Sequence, residues 1–189
     1  MAEAKEQTEE QILELLKGYR PTTKRGGYKE IPRKVILKAA EQIGIPEKDI
    51  PQIRVENMKM GQGGYIHKTP QGEIEIVVPR REPKQVVPDT LRHELAHAKN
   101  GFVVPSTWEN YIEDELKALK LQGNGRLTCD DISGLILTLV LEDKQPKRET
   151  THLVTDTARY MGASEHSITS AKRFLRRHWR RLEQLKEYL

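Results

Sequence analysis

Two histidines four residues apart enclose a glutamate in the run His93-Glu94-Leu95-Ala96-His97. On a helix, side chains at i and i+4 project from one face about 40° apart, so the two imidazoles can share one cation. Glu94 lies between them in sequence, where a carboxylate could take a proton from a water held by that cation. With 6 histidines among 189 residues, such a run arises by chance only about 0.02 times in a chain of this composition. Leu91, Leu95 and Ala98 form the apolar stripe of the same helix, and both histidines point away from it. Histidines that merely filled a core would lie on that stripe.

A catalytic zinc site takes three protein ligands and keeps a fourth position open. The next helix carries Trp108, Tyr111, Ile112, Leu116 and Leu119 as an apolar arc. At about 100° per residue Glu115 falls in the middle of that arc, while Glu113 and Asp114 fall opposite it and read as solvated. A carboxylate buried without a partner costs several kcal/mol. Glu115 should therefore meet either a metal or a buried Arg or Lys. The metal reading gives one Zn2+ per chain, held by His93, His97 and Glu115. Glu94 would then act as general base and proton donor.

The run His93 to His97, followed on the next helix by Glu115-Leu116-Lys117-Ala118, resembles the gluzincin metallopeptidases. The resemblance covers about residues 50 to 122. It implies a zincin-like domain in which an edge strand, here the alternating Glu73 to Val78, precedes the active-site helix and pairs with extended substrate. It also implies a third ligand from a glutamate on the following helix. The metzincin pattern is absent, since Asn100-Gly101 ends the helix with no third histidine close behind. Family members stabilise the oxyanion with a His or Tyr, for which Tyr65, Tyr111 and His152 are the candidates.

The elements that would position these groups can be read from periodicity and breakers. Helices are expected over 9 to 18 and from Pro32 to Ile43, the second with Val35, Ile36, Ala39, Ala40 and Ile43 at helical spacing and Gly44 and Pro46 as its stop. Gln52-Ile53-Arg54-Val55-Glu56, Gly64 to Lys68 and Glu73 to Val78 read as three strands. Thr69-Pro70-Gln71-Gly72 turns between the last two as a hairpin. Pro79, Glu73 and Glu75 mark the third strand as an edge. Asp89 is placed to cap the motif helix, with Gly101 as its stop. Helices follow over 106 to 121 and about 129 to 141, and two more are separated near Gly162. The expected fold class is α+β, with a zincin-like domain over 1–125 and an all-helical region over 126–189.

Charge is unevenly spread along the chain. The net charge is +4, yet residues 143–189 hold eleven Lys or Arg against six Asp or Glu. Within that quarter Ala158, Gly162 and Ile168 stand where a helix-turn-helix needs a small crossing residue, a turn glycine and a buried apolar residue. Ser164 could cap its second helix. Glu165, His166, Thr169, Ser170 and Arg173 would then face a DNA major groove, with Arg176 and Arg177 near phosphate. The same helix carries Ile168, Ala171, Leu175, His178, Leu182, Leu185 and Leu189 at three-four spacing, a stripe able to pack on the rest of the chain or on a second copy. A peptidase followed by a helix-turn-helix resembles, in arrangement, the bacterial and phage metallopeptidases that cleave transcriptional repressors.

Other classes are less well served. Met1 to Glu6 lacks the apolar run of a secretory signal, and Leu135 to Leu141 is too short to span a bilayer. The one cysteine, Cys129, suits a reducing compartment and reads as a small helix-start residue, so a cytoplasmic protein is expected. The expectation is a zinc metallopeptidase acting on a protein or peptide. Its rivals are a DNA-binding regulator with a non-catalytic metal site and a zinc hydrolase of non-peptide amides. An intact Glu94 counts against the first rival and a substrate-pairing strand against the second.

Overall fold

The computed structural model describes residues 27–58, 64–80, 84–142 and 145–185. The helix expected over 9 to 18 lies outside them, as do the side chains of Leu182, Leu185 and Leu189. Among the described residues the fold is α+β, with six α-helices and one three-stranded mixed sheet.

Helix α1 (Arg33–Ile43) follows Pro32 and buries Ala39, Ala40 and Ile43. It ends where Gly44 turns left-handed at φ 73°, a conformation that carries no Cβ penalty in glycine. A 3-10 turn over Glu47–Asp49 leads into strand β1 (Gln52–Glu56). Strands β2 (Tyr65–Lys68) and β3 (Ile74–Pro79) form the expected hairpin, in the antiparallel register Ile66↔Ile76.

The expected edge position of the third strand is wrong. The strand order is β1-β3-β2, with β1 parallel to β3, so β3 is central and β2 and β1 are the edges. Both misleading signals have a physical resolution. Pro79 is the last residue of the strand, and the next amide, Arg80 N–H, donates to the Glu56 carbonyl at 2.7 Å. Glu75 is spanned from both flanking strands by Arg54 at 3.2 Å and His67 at 2.9 Å. A charge that suggests an exposed edge is in fact partnered in the middle of the sheet.

Helix α2 (Val87–Lys99) starts with Pro88 in its first turn, where a missing N–H leaves no helical bond unmade. Asp89 lies inside that turn and pairs with Arg92 instead of capping from outside. Helix α3 (Trp108–Gln122) is capped by Thr107, whose hydroxyl accepts from Asn110 N–H at 3.2 Å. Helix α4 (Cys129–Leu137) opens on a capping box made by Thr128 and Asp131 and widens into a π turn over Thr138–Glu142. Cys129 sits at its start, where burial and then the charge of Asp130 push the thiol pKa up, away from reactivity.

Helices α5 (Lys147–Tyr160) and α6 (Glu165–Leu185) complete the described chain. The turn between them holds Gly162 at φ 86°. Ala158 and Ile168 are both buried where the two helices meet, and the Ser164 hydroxyl accepts from Ser167 N–H at 3.0 Å. The first part of the packing stripe of α6 is used within the chain, because Ile168, Ala171 and Leu175 join the core that also holds Ile132 and Ile136 of α4. No helix among the described residues is long and apolar enough to cross a membrane.

Two apolar cores meet at α3. Its Ile112 and Leu116 belong to the core formed with α4, α5 and α6. Its Ala118 belongs to the core formed with α1, α2 and β3, around Ile76, Val78, Leu91 and Leu95. Helix α3 therefore has two buried faces. It packs along α2 on one and carries the C-terminal helices on the other.

Candidate metal centre

The packing of α2 against α3 brings His93, His97 and Glu115 together, with one donor atom of each within 4.8 Å of the others. His93 Nε2 lies 3.2 Å from Glu115 Oε2 and 3.2 Å from His97 Nε2. His97 Nε2 lies 3.5 Å from Glu115 Oε1. Neighbouring donors in a tetrahedron with zinc–ligand bonds of about 2.0–2.1 Å stand roughly 3.3 to 3.4 Å apart. The two Nε2 atoms stand near that spacing, and Glu115 presents Oε2 to one imidazole and Oε1 to the other at similar distances. The imidazoles meet edge to face, at 86° and 4.7 Å between centroids, so two Nε2 atoms converge without stacked rings.

Each imidazole is held from behind. His97 Nδ1–H donates to Asp114 Oδ2 at 2.7 Å, and His93 Nδ1–H donates to Gln122 Oε1 at 3.3 Å. The Gln122 amide in turn donates to the Asp89 carbonyl at 3.4 Å. These acceptors fix Nδ1 as the protonated nitrogen and leave Nε2 for a cation. Among the described residues the partners of Glu115 are the two histidines, at 3.2 and 3.5 Å, and not an Arg or Lys.

Asp114 departs from the solvated role read from the arc of α3. One arc was visible in sequence because Ile112, Leu116 and Leu119 are large. The second buried face, toward α2, is marked mainly by Ala118, which is fully buried but small. Asp114 sits four residues before Ala118 on that face, so it reaches His97. The signal available in sequence was an acid at helical spacing from a buried alanine, which apolar periodicity does not register. Glu113 is half-buried, points away from the cluster and pairs with Lys117 at 2.7 Å.

In the absence of a cation His93 and Glu115 stabilise each other's charged forms. Burial alone would lower the His93 pKa. The hydrogen bond and charge of Glu115, the charge of Glu94 and the Gln122 bond outweigh it and raise the pKa to about 9. Burial raises Glu115, but the His93 bond and the charges of His93 and His97 win and hold its carboxyl below the usual range. A proton thus stands in for positive charge among these groups, and metal uptake must displace it.

Glu94 is 6% exposed, next to His93 on α2. The start of β2 lies against it. A Cβ built on Gly64 would stand 2.5 Å from Thr90 Cγ2, 3.1 Å from the Val77 carbonyl and 3.7 Å from Glu94 Cγ. The absence of a side chain at Gly64 is what lets the edge strand approach the motif helix. Sequence reasoning named Gly64 only as the start of a strand.

The oxyanion candidates separate by position. Tyr65 is exposed on β2, one residue from Gly64, with its ring 5.5 Å from that of His67. Tyr111 is on α3 one turn before Glu115 and stacks on Trp108 at 5.2 Å. His152 is exposed on α5, a helix that packs against α3, α4 and α6.

Comparison of the chain with known protein families, curated proteins and solved structures finds no match.

Proposed function

We propose that this chain is a zinc metallopeptidase of the gluzincin type, with His93, His97 and Glu115 as ligands and Glu94 as general base. The observation that carries the reading is the trio of donor separations, 3.2, 3.2 and 3.5 Å, beside a buried carboxylate on the same helix. Zinc, when bound, supplies a Lewis acid that polarises the scissile carbonyl and lowers the pKa of the attacking water. Glu94 takes the proton of that water and passes it to the leaving amine. Asp114 and Gln122 keep both imidazoles in the ligating tautomer. The strand β2, bordering α2 through Gly64 and at the sheet edge among the described residues, would pair with an extended peptide, the role that the sequence reading gave to β3. A purely structural metal site has no use for a base such as Glu94, which disfavours the non-catalytic alternative. A reducing, cytoplasmic setting suits the lone Cys129.

Elemental analysis of protein purified without chelator should find about one zinc per chain. His93→Ala or His97→Ala should empty the site, and Glu113→Ala should leave it filled. Glu94→Gln should keep the metal while cleavage of a peptide library collapses. Zinc-free wild-type protein, or unimpaired cleavage by Glu94→Gln, would overturn the proposal.

A further inference from the structure

Helix α6 divides cleanly into a buried side and a charged one. From Glu165 to Arg180 the exposed residues are Glu165, His166, Thr169, Arg173, Arg176, Arg177 and Arg180. At about 100° per residue all seven fall within one arc of roughly 120°, opposite buried Ala171 and Leu175. Their span along the axis is about 22 Å at 1.5 Å per residue. The acid in this arc, Glu165, is neutralised by Arg159 at 2.6 Å. Among the described residues, Arg173, Arg176, Arg177 and Arg180 have no ion-pair partner. The surface is thus a continuous cationic stripe on a rigid helix.

The helix is also presented in a specific way. Ala158 and Ile168 close the corner between α5 and α6, and Lys147 lies 3.7 Å over the Trp179 ring, tying the start of α5 to the far part of α6. The turn is tethered to the ligand helix, because Lys120 of α3 donates to the Met161 carbonyl at 2.6 Å. Tyr160, 89% exposed, stands at the end of α5 beside that turn. A helix pair with a small-residue corner, a left-handed turn glycine and a protruding polar second helix has the shape that enters a major groove.

We propose that this face docks on duplex DNA. His166, Thr169 and Arg173 enter the major groove, and Arg176, Arg177 and Arg180 contact phosphate. Complementary charge along some 22 Å of helix is the argument for this partner. The docking is independent of the metal centre, whose ligands lie on α2 and α3.

The test uses the full chain and a labelled 30-base-pair duplex of random sequence, titrated at several salt concentrations. With three guanidiniums at phosphate, log affinity should fall against log salt with a slope of about −3. Replacing Arg176 and Arg177 by Gln should flatten the slope by about 2 and weaken binding roughly tenfold or more at ~0.1 M salt. The exposed Arg80→Gln, at the end of the sheet, should change neither. Circular dichroism confirms that the variants keep their helices. No binding at low salt would overturn the proposal. So would an unchanged slope in the double variant, or equal affinity for single-stranded DNA or polyglutamate of the same charge.

Discussion

His97 and Asp114 are joined by a 2.7 Å hydrogen bond from Nδ1–H to Oδ2, across the seam between α2 and α3. His97 is 3% exposed, so the ring cannot exchange this partner for water without opening the seam. The bond therefore decides which nitrogen faces Glu115. Such outer partners orient the imidazole and raise its basicity toward a metal.

Asp114→Asn should weaken zinc binding by about 10- to 100-fold, read by competition with a chelating dye. The neutral amide can still accept from Nδ1–H, but it no longer strengthens the imidazole as a donor. Asp114→Ala should do worse, while Glu113→Ala, one residue away and paired with Lys117, should match wild type. Equal affinities in Asp114→Asn and wild type would mean that helix packing alone orients His97.

Gly64→Ala should lower turnover by at least tenfold while leaving zinc content unchanged. The added methyl would meet Thr90 Cγ2 at 2.5 Å and the Val77 carbonyl at 3.1 Å, so the Thr90 side chain, the strand or the first half of α2 must shift. A displacement near 1 Å at a catalytic group costs on the order of 100-fold. Because the ligands lie one to two turns further along α2 or on α3, the metal should stay. Measuring kcat and bound zinc in the same preparation separates the two effects.

How much of this was legible follows from which signals are local. The convergence of His93 and His97 needed only helical spacing, and that of Glu115 only an acid within an apolar arc. The corner between α5 and α6 was equally local: Ala158, Gly162, Ser164 and Ile168 sit where they were placed. The strand order was not local. Glu75 and Pro79 look like edge residues until the pairing supplies Arg54, His67 and the Arg80 amide. Asp114 was missed for a related reason, since the second buried face of α3 depends on which helix packs there. Pairing partners are decided by tertiary structure, and one sequence read alone gives them no signature.

Lys120→Met tests the tether between the ligand helix and the turn after α5. The Lys120 ammonium donates to the Met161 carbonyl at 2.6 Å in a partly buried setting. Methionine keeps the length and apolar stem but leaves that carbonyl without its donor. The loss should be about 1–3 kcal/mol, read from urea unfolding with an unchanged slope. Zinc content should not move, because no ligand contacts Lys120. A stability equal to wild type would mean that water replaces the ammonium at no cost.

Glu75 should give the fold an acid-sensitive component. The hydrogen bond from Arg54 lowers its pKa first; burial opposes this, and the His67 bond and the charges of both neighbours add to the lowering. The folded pKa is thus below the ordinary value of 4.5. The unfolded chain then takes up a proton at higher pH than the folded one. The stabilisation is fully present above the unfolded value and is lost as pH falls through the depressed folded one. Wild-type stability should therefore drop from about pH 5 downward, while Glu75→Gln, already neutral, should show a flatter acid limb. At neutral pH the variant should be the less stable of the two, because Arg54 and His67 lose the charge of Glu75, and Arg54 keeps only Glu56, at 2.8 Å. Urea midpoints of both proteins between pH 3 and 7 check the point, and parallel acid limbs would place the titrating group elsewhere.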